Sequence, residues 1–332
     1  MIQTVRAVGQ PQPRAWARQL AAAIRDPAVL LARLGLEGLV TLPSPELLAS
    51  FPLLVTEAYL ARIRHGDPDD PLLRQVLPVA TEGEPGGSRD PVREAAALVA
   101  PGVLRKYAGR ALLVTTAACA IHCRYCFRRH YPYDGGAAMD WGPALAAAAA
   151  DPGVDELILS GGDPLVLSDR RLAELSSRLH EVPNLRRLRL HSRLPVVLPD
   201  RIDDGFLAWA AAVPLPTVMV IHANHPDEIG EDVAAALARL RGVGMTLLNQ
   251  SVLLRGVNDT VAVLEALSLR LFEVGVLPYY LHQLDPVAGA MHFEVPDERA
   301  REIQRGLAAA LPGYLVPRLV RELPGAASKL PL

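Results

Sequence analysis

The stretch CAIHCRYCFRRH, residues 119–130, carries Cys119, Cys123 and Cys126, and the chain of 332 residues has no other cysteine. Three thiols cannot all pair as disulfides, and a closed structural zinc site takes four ligands. Cysteine thiolates are also the usual ligands of iron–sulfur clusters. A four-iron cluster held by three of them leaves one iron open to an external ligand. The alternative is a three-cysteine zinc site completed by His122 or His130. Zinc ligands, however, come as two paired elements separated by a longer span. Confinement of every cysteine to one tight loop favours the open-iron cluster.

Outward from this loop the chain alternates two patterns. Short aliphatic runs are RALLVTTAA (110–118), DELILSGGD (155–163), LRRLRLHS (185–192), PTVMVIHAN (216–224), TLLNQSVLL (246–254) and PYYLHQLD (278–285). Between them lie Ala/Leu-rich helical stretches at 142–150, 169–180, 231–241 and 261–274. Strands alternating with helices predict an α/β protein with a parallel sheet, open or closed into a barrel. Several runs end in polar residues: 160–163, 191–193, 222–224, 249–251 and 282–285. Ligand sites of parallel α/β folds lie at the carboxyl ends of strands, so these ends predict one shared cavity. Residues 1–105 read as an N-terminal helical region, with helices at 15–25, 45–50 and 56–63. The repeating unit covers 106–295. Residues 296–332 read as a helix (297–311) followed by an extended tail.

Half of the residues are apolar and the net charge is −2, with a pI of about 6.5. A balance of this kind gives no bulk attraction to nucleic acid or to an anionic membrane. The N-terminus lacks the apolar run of a signal peptide. The most apolar window, 206–221, is broken by Pro214 and Pro216 and reads as a helix end followed by a buried strand. A cytoplasmic protein with reduced cysteines is expected. Of the 34 basic residues only Lys106 and Lys329 are lysine. Lysine, unlike arginine, can lose its proton and form a Schiff base.

The spacing C-x3-C-x-aromatic-C, with Tyr125 as the aromatic, resembles the signature of radical S-adenosylmethionine (SAM) enzymes. Longer blocks narrow the resemblance. LILSGGDPL, LRLHSRLPVVLPDRI, HANHPDEI, LLNQSVLLRGVND, PYYLHQLDPVAGAMHF and GYLVPRLVRELPGAASKLPL, together with the cysteine loop, resemble the lysine 2,3-aminomutase family from about residue 50 onward. The resemblance implies a partial (β/α)6 radical SAM barrel and a C-terminal tail that binds pyridoxal 5′-phosphate (PLP). It implies a [4Fe-4S] cluster on Cys119, Cys123 and Cys126, with SAM on the open iron. Ser160, Gly161, Gly162 and Asp163 stand where this superfamily contacts the amino group of SAM, Asp163 replacing the more frequent Glu. On their own these four could form no more than a tight turn.

By the same resemblance Lys329 is the PLP lysine, with Lys106 the weaker candidate. Arg110 contacts the PLP phosphate, Tyr107 lies near the ring, and Gln250 lies between PLP and SAM. Arg128 clamps the substrate carboxylate, although Arg124, Arg128 and Arg129 could equally balance an anionic cluster. Asp285 and Glu322 hold the distal ammonium of lysine, Glu322 standing where Asp is usual; Asp285, before Pro286, could also cap a turn. The chain lacks the C-terminal cysteine cluster of longer relatives. This short form is similar to the aminomutases that supply β-lysine for elongation factor P, which implies a functional link to its lysylation ligase and an external electron donor. Two other readings stand: a mutase for another cationic amino acid, and a non-catalytic scaffold of the same pathway.

Overall fold

A computed structural model describes residues 14–133 and 140–332. Among the described residues ten strands form one mixed sheet in chain order: β1 (Leu98–Ala100), β2 (Val103–Leu104), β3 (Arg110–Val114), β4 (Glu156–Ser160), β5 (Arg187–Ser192), β6 (Thr217–Ile221), β7 (Thr246–Val252), β8 (Leu277–His282), β9 (Arg318–Arg321) and β10 (Leu330–Pro331). From β3 to β9 every neighbouring pair is parallel, whereas β1, β2 and β10 are antiparallel to their neighbours. The six aliphatic runs of the sequence are β3 to β8.

The helices expected at 15–25 and 56–63 are shorter, Ala15–Ala21 and Glu57–Leu60, and two further features differ from the sequence expectation. Residues 98–104, within the segment expected to be helical, form the lead-in pair β1–β2. The segment expected as an extended tail supplies β9, a seventh parallel strand. Its register places Leu319 beside Leu281 and Val320 beside His282. Only four residues long and following Pro317, β9 has too little alternation to stand out, and its order comes from pairing with β8.

The connecting helices, among them Trp141–Ala149, Asp169–Ser176, Glu231–Gly242 and Val261–Glu273, bury Leu145, Leu172, Leu237 and Leu264 in one hydrophobic cluster with the strands. Polar side chains start several of them: Asp140, Ser168 and Thr260 accept the N–H of Gly142, Arg171 and Val263. Leu113, Leu157, Leu159, Leu188, Leu190, Met219 and Ile221 are at most 1% exposed. Each such side chain contributes about 1.5–3 kcal/mol when fully buried. Trp16, Leu30, Tyr59 and Leu72 of the N-terminal region belong to the same hydrophobic cluster. Among the described residues no helix is long and apolar enough to cross a membrane.

The N-terminal region also grips the cysteine loop. The N–H of His122 donates to Leu54 O at 3.0 Å and that of Arg124 to Gln75 O at 2.9 Å. Glu82, its side chain fully buried, accepts from Arg124 (Nε, 2.7 Å) and from Arg129 (Nη2, 2.7 Å). Arg124 donates onward to Phe51 O at 2.7 Å. Glu82→Gln would leave two buried guanidiniums short of a counter-charge, which costs about 3–5 kcal/mol. The expected result is a melting midpoint lower by roughly 5–15 °C and a loop that retains iron poorly. An unchanged midpoint would show that this clasp does not hold the loop.

Candidate active site

Strands buried on both faces are expected to be almost wholly apolar. The exceptions here define the site. Arg110, Arg189, His191, Gln250 and His282 come from β3, β5, β7 and β8, and His222 and Glu322 directly follow β6 and β9. They line one cavity of about 340 Å³ with Cys119, Cys123, Cys126, Asp285 and Lys329. The structure thus brings together all the site residues named from the sequence, the short turn Ser160–Gly161–Gly162–Asp163 included.

The three cysteines are free and partly buried. No three His, Cys, Asp or Glu side chains among the described residues are placed to hold one metal ion. The histidines of the zinc alternative face backbone carbonyls: His122 Nδ1 lies 2.8 Å from Pro52 O and His130 Nε2 3.0 Å from Ala288 O. A cubane cluster seats each thiolate on a different iron, so its ligands need not converge on a point. Cys123 Sγ accepts from Arg193 Nη1 at 2.7 Å, and Arg193 is held from behind by Glu228 and Gln75, both at 2.8 Å.

The glycines of the Ser160–Asp163 turn serve close approach to the cysteine loop. A Cβ on Gly161 would lie 2.6 Å from Thr116 O, and one on Gly162 would lie 2.3 Å from Ala118 O. Their neighbours' hydrogen bonds run the same way: Gly162 N donates to Thr116 O at 2.7 Å and Asp163 N to Ala118 O at 2.8 Å. The Asp163 carboxylate accepts from Leu165 N, Ser192 Oγ, Arg193 N and Leu194 N at 2.7–3.1 Å. Burial raises its pKa to about 6 against these donors. Asp163 therefore ties β4 to the end of β5, and its side chain faces the fold.

Arg128 also differs in detail from expectation. Its fork meets Glu94, with Nε at 2.7 Å and Nη2 at 2.8 Å, while Nη1 donates to Ser160 Oγ at 2.9 Å and to Gly161 O at 3.2 Å. A substrate carboxylate would have to compete with Glu94 for this fork. Burial pushes the Glu94 carboxyl up, but Arg128 and Lys106 outweigh it and lower the pKa. Glu94 gave no signal in the sequence, since its partners lie 12 and 34 residues further along.

Glu322 bridges the two lysines of the chain. Oε1 accepts from Lys106 Nζ at 2.6 Å and Oε2 from Lys329 Nζ at 2.7 Å. Burial raises the Glu322 pKa, yet the two ammoniums prevail and hold it down to about 2. Asp285 behaves oppositely. Among the described residues its carboxylate has no hydrogen bond or ion pair, and burial, reinforced by Glu322, raises its pKa to about 7. Such an acid is set to receive a cation.

Four further groups lack a hydrogen bond or ion pair among the described residues. Arg110 carries no ion pair or hydrogen bond and lies 5.3 Å over the ring of Tyr107. By contrast, Arg128, Arg129, Arg189 and Arg193 are each paired with a glutamate. The buried Tyr107 hydroxyl and the Nε2 atoms of His191 and His282 are also unpartnered. Burial lowers the pKa of both imidazoles, so they face the cavity neutral. Gln250 Nε2 lies 2.9 Å from His222 Nε2. A free guanidinium, a free hydroxyl and an amine lining one cavity fit a phosphorylated aldehyde such as PLP.

Fold and site together define an α/β enzyme that works at the carboxyl ends of parallel strands. The chain is 48% identical to the L-lysine 2,3-aminomutase of Escherichia coli (strain K12), over 97% of this chain and 95% of that protein. It is 46% identical to the L-lysine 2,3-aminomutase of Haemophilus influenzae, over 95% and 94%. To that of Clostridium subterminale it is 36% identical, over 85% of this chain and 69% of the other. Among solved structures, a radical SAM methyltransferase from Sphaerobacter thermophilus aligns at TM-score 0.47 and 17% identity, over 66% of this chain and 68% of that one. No profile of a known protein family matches the chain. The chain belongs to the lysine 2,3-aminomutase family of radical SAM enzymes, and it is an isomerase.

Proposed function

We propose that the chain is a SAM- and PLP-dependent 2,3-aminomutase that converts (S)-α-lysine to (R)-β-lysine. The observation that carries this reading is the convergence of Lys329, the unpaired Asp285 and the three cysteines on one cavity. The names of the relatives support lysine as substrate. In this reading β3 to β8 form a partial (β/α)6 barrel within 106–295, with 1–105 as the N-terminal region and 296–332 as the PLP-binding tail. Three free cysteines that must stay reduced to hold a cluster support a cytoplasmic location. The similarity to short-form aminomutases supports a place in the modification of elongation factor P, with an external electron donor and a lysylation ligase downstream.

Bound together, the cluster, SAM and PLP supply hydrogen-atom abstraction from the β-carbon and a carbonyl carbon that carries the migrating amine. The chain's own residues bind and orient. Cys119, Cys123 and Cys126 hold the cluster; Ser160, Gly161, Gly162 and Asp163 shape the SAM side; Gln250 lies between the two cofactors. Arg110 takes the PLP phosphate, Tyr107 flanks its ring, and Lys329 attaches it. Arg128 serves the substrate carboxylate in exchange with Glu94. Asp285 and Glu322 serve the ε-ammonium. Enclosure by the strand ends excludes water and fixes near-contact geometry for hydrogen transfer.

Lys329 is favoured over Lys106 because Lys106 lies between two carboxylates, whereas Lys329 has one and otherwise faces the ring of Tyr280 at 5.8 Å. Borohydride treatment of PLP-loaded protein should therefore fix the label on the peptide holding Lys329. Lys329→Arg should lose the visible absorbance and keep its iron. Label on Lys106 would reverse the assignment. Anaerobic reconstitution followed by lysine turnover tests the whole reading, and a reconstituted protein inert toward lysine would refute it.

A further inference from the structure

Lys106 has no part in the chemistry proposed above, yet it sits at the centre of the ionic wall of the cavity. Its Nζ donates to Glu322 Oε1 at 2.6 Å and lies 3.2 Å from Glu94 Oε1. Glu94 turns both oxygens to Arg128, and Glu322 gives its other oxygen to Lys329. The charges alternate, Arg128–Glu94–Lys106–Glu322–Lys329, from the cysteine loop to the C-terminal lysine. Side-chain exposure along the row runs from 3% to 21%, so solvent does little to screen it.

Three cations here face two carboxylates. Once Lys329 has lost its charge, Arg128 and Lys106 balance Glu94 and Glu322. Attachment of an aldehyde cofactor demands that loss. The nitrogen lone pair bonds the aldehyde carbon, the oxygen leaves as water, and the ammonium proton passes to solvent. If Lys329 were the sole partner of Glu322, the same step would strand a carboxylate that is largely shut away from water, which is strongly unfavourable.

We infer that Lys106 is a positioning residue, the standing counter-ion of Glu322, which releases Lys329 from its ion pair for cofactor attachment and keeps the carboxylate in place afterwards. This rests on Lys329 being the cofactor lysine. The ring of Phe127, 6.0 Å from Nζ, closes the remaining side.

The test reads PLP attachment and needs no turnover. Purified chain is titrated with PLP, reduced with borohydride, and the label on Lys329 is measured by peptide mass spectrometry, with melting temperature and iron content alongside. Lys106→Met should need roughly tenfold or more PLP for half-labelling, the scale of one lost hydrogen bond between charged groups. Lys106→Arg should restore most of the parental value. Adding Glu322→Gln to Lys106→Met should also restore it, because the carboxylate that retains Lys329 is gone. If Lys106→Met does not fold, Glu322→Gln alone decides: it should label at no more PLP than the parent, and a need for tenfold more would overturn the inference. Parental labelling of Lys106→Met would overturn it as well, and so would a defect that Glu322→Gln does not relieve. A parent chain unlabelled at Lys329 would instead refute the cofactor-lysine assignment, which separates the two failures.

Discussion

Cys119→Ala, Cys123→Ala and Cys126→Ala are each expected to abolish reductive cleavage of SAM. Three thiolates in one loop supply three ligands of a four-iron cluster and leave the fourth iron for the external ligand. Removal of one leaves two, with no spare: the chain has no further cysteine, and His122 and His130 point at backbone carbonyls. The anaerobically reconstituted parent should hold about four irons per chain, and the variants far fewer. Their folds should survive, since the loop is tied independently through Arg124 and Arg129 to Glu82 and through His122 N to Leu54 O. Circular dichroism and the melting midpoint check that point. Cys123→Ala should show the largest disturbance nearby, because the Arg193 guanidinium loses the sulfur that it donates to. Full SAM cleavage by Cys123→Ala would sink the cluster reading.

Strand positions were legible in the repeating part of the chain, where aliphatic patterns run over five residues or more, whereas the helix Pro27–Arg33 was not read. β3 to β8 follow from aliphatic runs closed by polar residues, and the shared cavity follows from those polar ends. β9 was not legible, because RLVR between Pro317 and Glu322 carries no periodicity of its own and is ordered by β8. Among the site residues, type and scarcity marked out the cysteines and Lys329. The chain's ionic pairings were hidden for a different reason. Glu82 and Glu94 lie in a segment whose own pattern is helical and turn-like, and their arginine partners are 34 to 47 residues away. Of the three arginines at 124, 128 and 129, a single sequence cannot say which meets which acid. The structure gives Arg124 and Arg129 to Glu82 and Arg128 to Glu94.

Asp285→Asn should lower kcat/KM for lysine by roughly thirty-fold to several thousand-fold, the range expected when one partner of a buried charge pair is removed. The argument starts from an imbalance between two acids. Glu322 already has a lysine on each oxygen, whereas Asp285 has no partner among the described residues and is held as a weak acid by burial. An incoming ε-ammonium therefore gains most from Asp285. Glu322→Gln should cost less, since its charge is shared with Lys106 throughout. The pH dependence follows from the same imbalance. Because the Asp285 pKa is raised from 3.8 to about 7, its neutral form favours the folded state at low pH, and that contribution is lost as pH rises through about 7. A cation binds the ionised form, so below about 7 binding must expel a proton. KM for lysine should then climb as pH falls, by up to about tenfold per unit, and level off above 7. Asp285→Asn has no proton to expel and should lose this slope while keeping PLP and SAM binding. It should also treat norleucine, which lacks the ammonium, less unequally than the parent does. Steady-state kinetics on lysine, norleucine and glutamate from pH 5.5 to 8.5, a range of about 1.5 units either side of the expected turning point, measure all of this together. If Asp285→Asn turns over lysine like the parent, with the same dependence on pH, the ammonium is held elsewhere and the carboxylate account of specificity is wrong.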